Sequence, residues 1–307
     1  MRQKATRHSR ATLSRRIFLG ASAAAAAAGM GVAPESGQNS PQAASPPTTN
    51  TYETHMSGIR ILPGQWRPHY PWEHIAWVSP PWPSQDYIWL DFPEAIFTNQ
   101  GLLFLSHVNP AIDSVFHDLP PVSWDILPDG TQFDRTLPNG VEFGGSLRKN
   151  GDTAVALELR LRNGSRQPLT DITLQTCAFL RAIREFGEYT RENKMVHTPD
   201  LGWIPLSQAM ELPDAAQPYR IGWRTKGRRT ADLPAIATLS NVEQRLFVFT
   251  WGKATLSLIG NPNHPCVHAD PQFPNLEPGQ EARIRGRLFF FEGPLSSLDL
   301  GPRLADI

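Results

Sequence analysis

Two histidines, a cysteine and an aspartate alternate along the stretch HPCVHADP, as His264, Cys266, His268 and Asp270. On an extended strand, residues i, i+2 and i+4 face one way, so these four side chains would share a face. Imidazole, thiolate and carboxylate are all competent ligands for zinc or a similar divalent ion. The His-x-Asp spacing also suits a hydrogen-bonded pair, in which the Asp270 carboxylate fixes the tautomer of His268 and raises its basicity. Pro262, Pro265 and Pro271 argue against a regular strand here. Three readings stand side by side. One is a metal site drawing on His264, Cys266 and His268 with a further ligand from elsewhere. Another is a disulfide between Cys266 and Cys177, the other of the two cysteines. The third is a packed loop with a buried thiol.

A second constellation is YPWEHIAWVSPPWPSQDYIWLDFPEAIF, residues 70–97. It interleaves Tyr70, Trp72, Trp77, Trp82, Tyr87 and Trp89 with Glu73, His74, Asp86, Asp91 and Glu94. Indole faces match the C–H face of a sugar, and nearby carboxylates can bond its hydroxyls. Trp72, Trp77 and Trp82 are the candidate platforms, whereas Trp89 and Phe92 suit the core. His107 ends the apolar run LFLSHV, either capped by backbone or aimed into a cleft. His197 lies in an irregular region, 180–212. Glu292 follows three phenylalanines, where apolar neighbours could raise its pKa and make it an acid or base; it could equally be the first solvated residue after a strand. Arg181 and Arg184 could clamp an acidic sugar or line an exposed helix face. There is no G-x-S-x-G elbow, phosphate-cradling loop, dinucleotide fingerprint or H-E-x-x-H.

The elements that must position these groups read as β. Short apolar or alternating runs are split by turn signals, among them Asp129-Gly130 and Asn139-Gly140, which favour hairpins. The clearest strand is TAVALELRLRN, where Val155, Leu157, Leu159 and Leu161 alternate with Ala156, Glu158, Arg160 and Arg162. Later strands are AIATLS, QRLFVFTWG, ATLSLIG and EARIRGRLFFFEG. LRAIREFGEYTRENKM and LSQAMEL read as short helices, forming an insertion over one end of the sandwich.

Ahead of the fold comes an address. Arg2, Lys4, Arg7 and Arg10 precede SRRIFLG and the run ASAAAAAAGMGVA, an export-signal order of charged, apolar and small residues. Arg15 and Arg16 before Phe18 and Leu19 resemble the twin-arginine signal. Residues 1–33 are thus expected to be the leader and 34–50 a disordered tether. Residues 51–307 are expected to form a single β-sandwich domain, in the periplasm or outside the cell, with no permanent membrane anchor. Partner expectations follow: the twin-arginine machinery for the leader, and no nucleic acid. Six of the 29 basic residues lie in 1–16, leaving 23 against 29 acidic ones, a poor balance for phosphate binding. The one dense basic run, RTKGRR at 224–229, suits a solvated hairpin tip.

The segment LELRLRNGSRQPLTDITLQTCAFL, with GVEFGGSLR before it and VHTPDLGWIP after it, resembles the middle of the galactose-mutarotase-like supersandwich over residues 138–205. That family contains aldose epimerases, and its fold recurs in polysaccharide lyases and glycosidases. The resemblance implies a large antiparallel β-sandwich and a carbohydrate ligand. It departs at one point: the epimerases carry a catalytic histidine shortly before the aromatic of the return strand, and here Thr176 and Cys177 precede Phe179. The expectation is an exported carbohydrate-active protein using general acid/base chemistry, with His107, His197, His268 and Glu292 as titratable groups. Trp72, Trp77, Trp82, Arg181, Arg184 and Asp270 would be its binding residues. The alternatives are a non-catalytic glycan-binding or structural envelope protein, and a metalloenzyme holding a divalent ion in the 264–270 cluster.

Overall fold

A computed structural model describes residues 57–223 and 228–307. The leader and tether expected over 1–50 lie outside the described residues, as does the middle of the basic run, 224–227. In chain order the strands are β1 (Ile61–Gly64), β2 (Ile75–Val78), β3 (Ile88–Thr98), β4 (Gly101–Leu105), β5 (Asp125–Leu127), β6 (Gly130–Thr136), β7 (Glu142–Asn150), β8 (Ala154–Arg162) and β9 (Thr173–Phe179). They continue as β10 (Lys194–Thr198), β11 (Gly202–Pro205), β12 (Tyr219–Ile221), β13 (Arg228–Ala231), β14 (Ala235–Leu239), β15 (Arg245–Thr250), β16 (Thr255–Asn261), β17 (Cys266–Pro271) and β18 (Glu281–Glu292). Among the described residues, helices are confined to short pieces, α1 (Leu206–Glu211) and α2 (Gly301–Leu304), besides single 3₁₀ turns. No helix among the described residues is long and apolar enough to cross a membrane.

The strands make two nine-stranded sheets. One runs β1-β2-β3-β9-β17-β16-β12-β13, with β4 pairing β3; the other runs β11-β10-β14-β15-β18-β8-β7-β6-β5. The protein is an all-β sandwich with a short helical insertion, as the strand rhythm implied. β8 shows why: Val155, Leu157, Leu159 and Leu161 are buried, while the alternate face carries Glu158, Arg160 and Arg162. Those charges pair across strands, Arg162 with Glu142 at 2.7 Å and Glu158 with Arg283 at 3.0 Å. Such cross-strand pairs each add a few tenths of a kcal/mol, up to about 1. The Asp129-Gly130 turn joins β5 to β6, and Gly140, at φ +86°, joins β6 to β7.

Between the sheets lies one large apolar core that includes Phe92 of β3, Phe247 and Phe249 of β15, Phe290 of β18 and the fully buried Trp251. Trp251 stacks on Phe92, with centroids 5.9 Å apart. Its indole N–H donates to Thr176 Oγ1 at 3.1 Å, so the ring's polar edge stays satisfied.

Two expectations fail here. The stretch 180–195 is not a helix: it forms a 3₁₀ turn at Arg184–Phe186 and then enters β10. Gly187 interrupts the helical pattern, and Met195 gains strand partners in both β11 and β14. LSQAMEL does become α1. The prolines around 264–270 do not prevent a strand either. Pro265 precedes β17 and Pro271 is its last residue, so Cys266–Asp270 pair freely with β9 and β16.

Candidate functional site

β17 is an inner strand, and its alternation does what the spacing suggested. Val267 and Ala269 enter the core, whereas Cys266, His268 and Asp270 point to the other face. On that face lies a cavity of about 570 Å³, to which β3, β4, β9, β16 and β17 all contribute. Glu94, His107, His264, His268 and Asp270 line it. Trp223, the half-exposed residue after β12, stands edge-on to His268 with ring centroids 5.4 Å apart.

Glu94 reaches this face through a bulge. Asp91 of β3 pairs with Cys177 of β9, and Ala95 pairs with Gln175, so three β3 residues oppose one on the partner strand. Simple alternation would put residues 91 and 94 on opposite faces. The bulge instead brings Asp91, Glu94 and His107 together, their ligand-type atoms lying within 4.8 Å of one another. Phe92 meanwhile stays in the core.

Glu94 sits between two imidazoles. Its Oε1 is 3.9 Å from His107 Nδ1, and its Oε2 is 3.7 Å from His268 Nδ1. Burial pushes its carboxyl up to about 7; His268 opposes that rise, while Asp91 and Asp270 add to it. A carboxyl poised there can both take and give a proton near neutral pH. His107 goes the other way. Burial, with Arg67 and His264 assisting, lowers it to about 4, so the ring is neutral. Ser106 gives its single hydroxyl proton to Asp91 Oδ2 at 2.7 Å, and His107 Nδ1 lies 3.2 Å from that hydroxyl oxygen. His107 therefore carries its proton on Nδ1, and Nε2 is left as an acceptor.

His268 is 2 % exposed, with Nδ1 3.4 Å from Asp270 Oδ1. Burial works against its charge, but the Cys177 sulfur and the Asp270 carboxylate outweigh it and raise the imidazole well above its usual value. Cys177 is itself pushed well up, by a hydrogen bond with Cys266 and by burial, so it is a neutral thiol at neutral pH. At that pH Asp270 is the partner that matters. Asp270 is held in turn by the Thr176 N–H at 3.1 Å.

Behind these groups runs an ion network. Arg67 reaches Glu73 and Asp91, each at 2.9 Å, and stacks over Trp66 with its guanidinium 4.0 Å from the ring. Burial raises Asp91 to about 6 against the pull of Arg67. Glu73 Oε1 accepts the N–H groups of Trp66 and Arg67, both at 2.6 Å, and so pins their loop.

Several sequence candidates lie elsewhere. His197 is 2.7 Å from Asp232 and edge-on to Trp203, outside the cavity. Glu292 is 65 % exposed and pairs with Arg245 at 3.2 Å, the solvated end of a strand. Trp72 is buried, its indole N–H donating to Leu105 O at 2.9 Å, and it cannot serve as a sugar platform. Trp82 is likewise buried, donating to Glu185 at 2.7 Å under the Arg245 guanidinium. Trp77 packs against Trp89. Arg184 pairs with Asp86 at the surface, and Arg181 is exposed outside the cavity. His264 does line the cavity, accepting from Asn261 Nδ2 at 2.8 Å, but it stands apart from the sulfurs. Cys177 and Cys266 are unbridged buried thiols. Trp223 was not named from the sequence, and Glu94 was named only as one of the carboxylates of 70–97, without a catalytic role; Pro93 inside an apolar strand was the available signal for a bulge.

The chain is similar to a GalM/aldose epimerase homologue from C. elegans. That likeness covers 76% of this chain and 99% of the other, at 8% identity and a TM-score of 0.36, and no residue role is carried across from it. No family model matches the chain, and no curated protein matches it.

Proposed function

We propose that the cavity is a general acid/base site for a small carbohydrate. The observation that carries this reading is the Glu94 carboxyl flanked by His107 at 3.9 Å and His268 at 3.7 Å at the wall of a cavity of about 570 Å³. That volume falls in the ~300–1,000 Å³ range of small-ligand pockets. The lining mixes a partly exposed indole, Trp223, with Asn109, Gln175 and Asn261, a set suited to a ring with one apolar face and many hydroxyls. Glu94 is the proton-transferring group, His107 Nε2 a neighbouring acceptor, and the His268 N–H the donor that steadies Glu94 as its proton leaves. The resemblance of 138–205 to the mutarotase-like supersandwich supports the same ligand class.

The twin-arginine-like leader supports export, so that the site meets its ligand in the periplasm or outside the cell. Fractionation of cells expressing the intact chain and its Arg15→Lys/Arg16→Lys variant checks that part. The site is tested with neutral and uronate saccharides, by calorimetry and by turnover. Binding by wild type, with turnover abolished in Glu94→Gln and binding retained, is expected. No binding and no turnover across the panel refutes the reading.

A further inference from the structure

Next to the cavity wall lies a second group of side chains, which shares only His268 with the acid/base site. β9 and β17 pair antiparallel with His268 opposite Cys177 and Cys266 opposite Phe179. That register brings both sulfurs and one nitrogen of the ring together, with the three ligand atoms within 4.8 Å of one another. His268 Nε2 is 3.5 Å from Cys266 Sγ. A tetrahedral ion with a metal–sulfur bond of about 2.3 Å and a metal–nitrogen bond of about 2.0–2.1 Å holds its sulfur and nitrogen roughly 3.5 Å apart. That edge of a coordination polyhedron is already in place.

We propose that Cys177, Cys266 and His268 form a three-ligand site for one d¹⁰ cation, zinc(II) or copper(I). Two thiolates and an imidazole are the donors such ions prefer over oxygen. Two thiolates also neutralise a divalent ion, which matters because Cys266 is fully buried and Cys177 is 2 % exposed. Trp66, Trp89 and Phe179 close over the sulfurs, and Trp66 stacks on Phe179 at 4.2 Å.

An independent observation lies on the other side of the imidazole. His268 is 2 % exposed, and no hydrogen bond from the described residues satisfies its Nδ1, which is directed at Asp270 at 3.4 Å and Glu94 at 3.7 Å. A metal-bound histidine characteristically aims its second nitrogen at a carboxylate, which fixes the tautomer with the metal on the far side. Asp270 is anchored for that role by the Thr176 N–H and the Ser257 hydroxyl. The other metal-competent group, Asp91, Glu94 and His107, is less suited, because Arg67 and Ser106 already occupy Asp91 Oδ2.

Binding releases the two thiol protons and the His268 Nε2 proton to solvent, so uptake weakens as pH falls. The Nδ1–H still faces Glu94 and Asp270 with metal bound, so this site goes beyond the acid/base reading and does not depend on it. A chain that holds metal and turns over no saccharide keeps this proposal and loses the other; the reverse result does the opposite.

The test uses the full chain, reduced and stripped of metal. One arm titrates cobalt(II) and displaces it with zinc(II); the other delivers copper(I) from a chromophoric chelator. One ion per chain in at least one arm is expected, with a thiolate-to-cobalt charge-transfer band if the zinc arm is the one filled. Cys177→Ser and Cys266→Ser lose the ion. Asp270→Asn keeps the site and weakens it by about 10–100-fold. Should the serine variants fail to fold, cadmium NMR on the unaltered protein reads the donor set, and two sulfurs with one nitrogen are expected. No ion held in either arm overturns the proposal. So does an ion held equally well by folded Cys177→Ser, or a cadmium shift without sulfur donors.

Discussion

Glu94→Gln removes one titration and little else, because the amide has the shape of the protonated acid. Glu94 rises from 4.5 in a solvated chain to about 7 in the fold, chiefly through burial. Its folded pKa is above the unfolded one, so between those values the native state binds more protons than the unfolded state. Stability therefore falls as pH rises through that window. At about 1.4 kcal/mol per pH unit the rise corresponds to roughly 3 kcal/mol. The attraction of His268 is already contained in that folded value, so it calls for no further deduction. The assay is urea unfolding, followed by tryptophan fluorescence on reduced, metal-free protein, at half-unit steps from pH 4.5 to 8. Below pH 4.5 the variant and wild type differ by a constant. By pH 8 the variant has gained roughly 3 kcal/mol relative to that constant, with the change centred between pH 5 and 7. A difference that does not vary with pH refutes the argument that Glu94 is held protonated by its surroundings.

Other outcomes follow from the same geometry. Arg67→Met leaves Asp91, which is fully buried, without its cation; unfolding free energy should drop by about 3–5 kcal/mol in denaturant titrations near neutral pH. His74 is fully buried and stacks on Phe133 at 3.8 Å, with no partner among the described residues for either ring nitrogen, and burial, helped by Arg135, lowers its pKa well below 6.5. The unfolded chain binds a proton there that the fold refuses, so wild type loses stability as pH falls below 6.5; His74→Leu should flatten that acid limb in melts between pH 4 and 7. Trp223→Ala removes the indole beside His268 and should weaken saccharide binding by about 1 kcal/mol, roughly fivefold, in calorimetry, with the melting temperature unchanged.

Much of the fold was legible because its signals are local. β8 shows its two faces in nine consecutive residues, and the Asp-Gly and Asn-Gly turns mark their own hairpins. The face shared by Cys266, His268 and Asp270 was legible for the same reason, since alternation needs only the chain itself. His107 could be suspected at the end of an apolar run, but only the β3–β4 pairing shows that it meets Glu94. Glu94 was hidden by register: a bulge opposite Thr176 decides its direction, and no feature of the local sequence gives the partner strand. Trp72 and Trp82 misled for a related reason. An indole in a Pro-rich stretch looks exposed until Leu105 and Glu185, far away in sequence, accept its N–H. The helix read over 180–195 yielded to strand pairing, which pattern alone cannot weigh.

The most direct test of the account is a crystal soaked with the tightest-binding saccharide from the panel. A ring is predicted beside Trp223, with one hydroxyl within hydrogen-bonding distance of both the Glu94 carboxyl and His107 Nε2. A saccharide bound on another face of the sandwich, with the Glu94 cavity left to solvent, contradicts it.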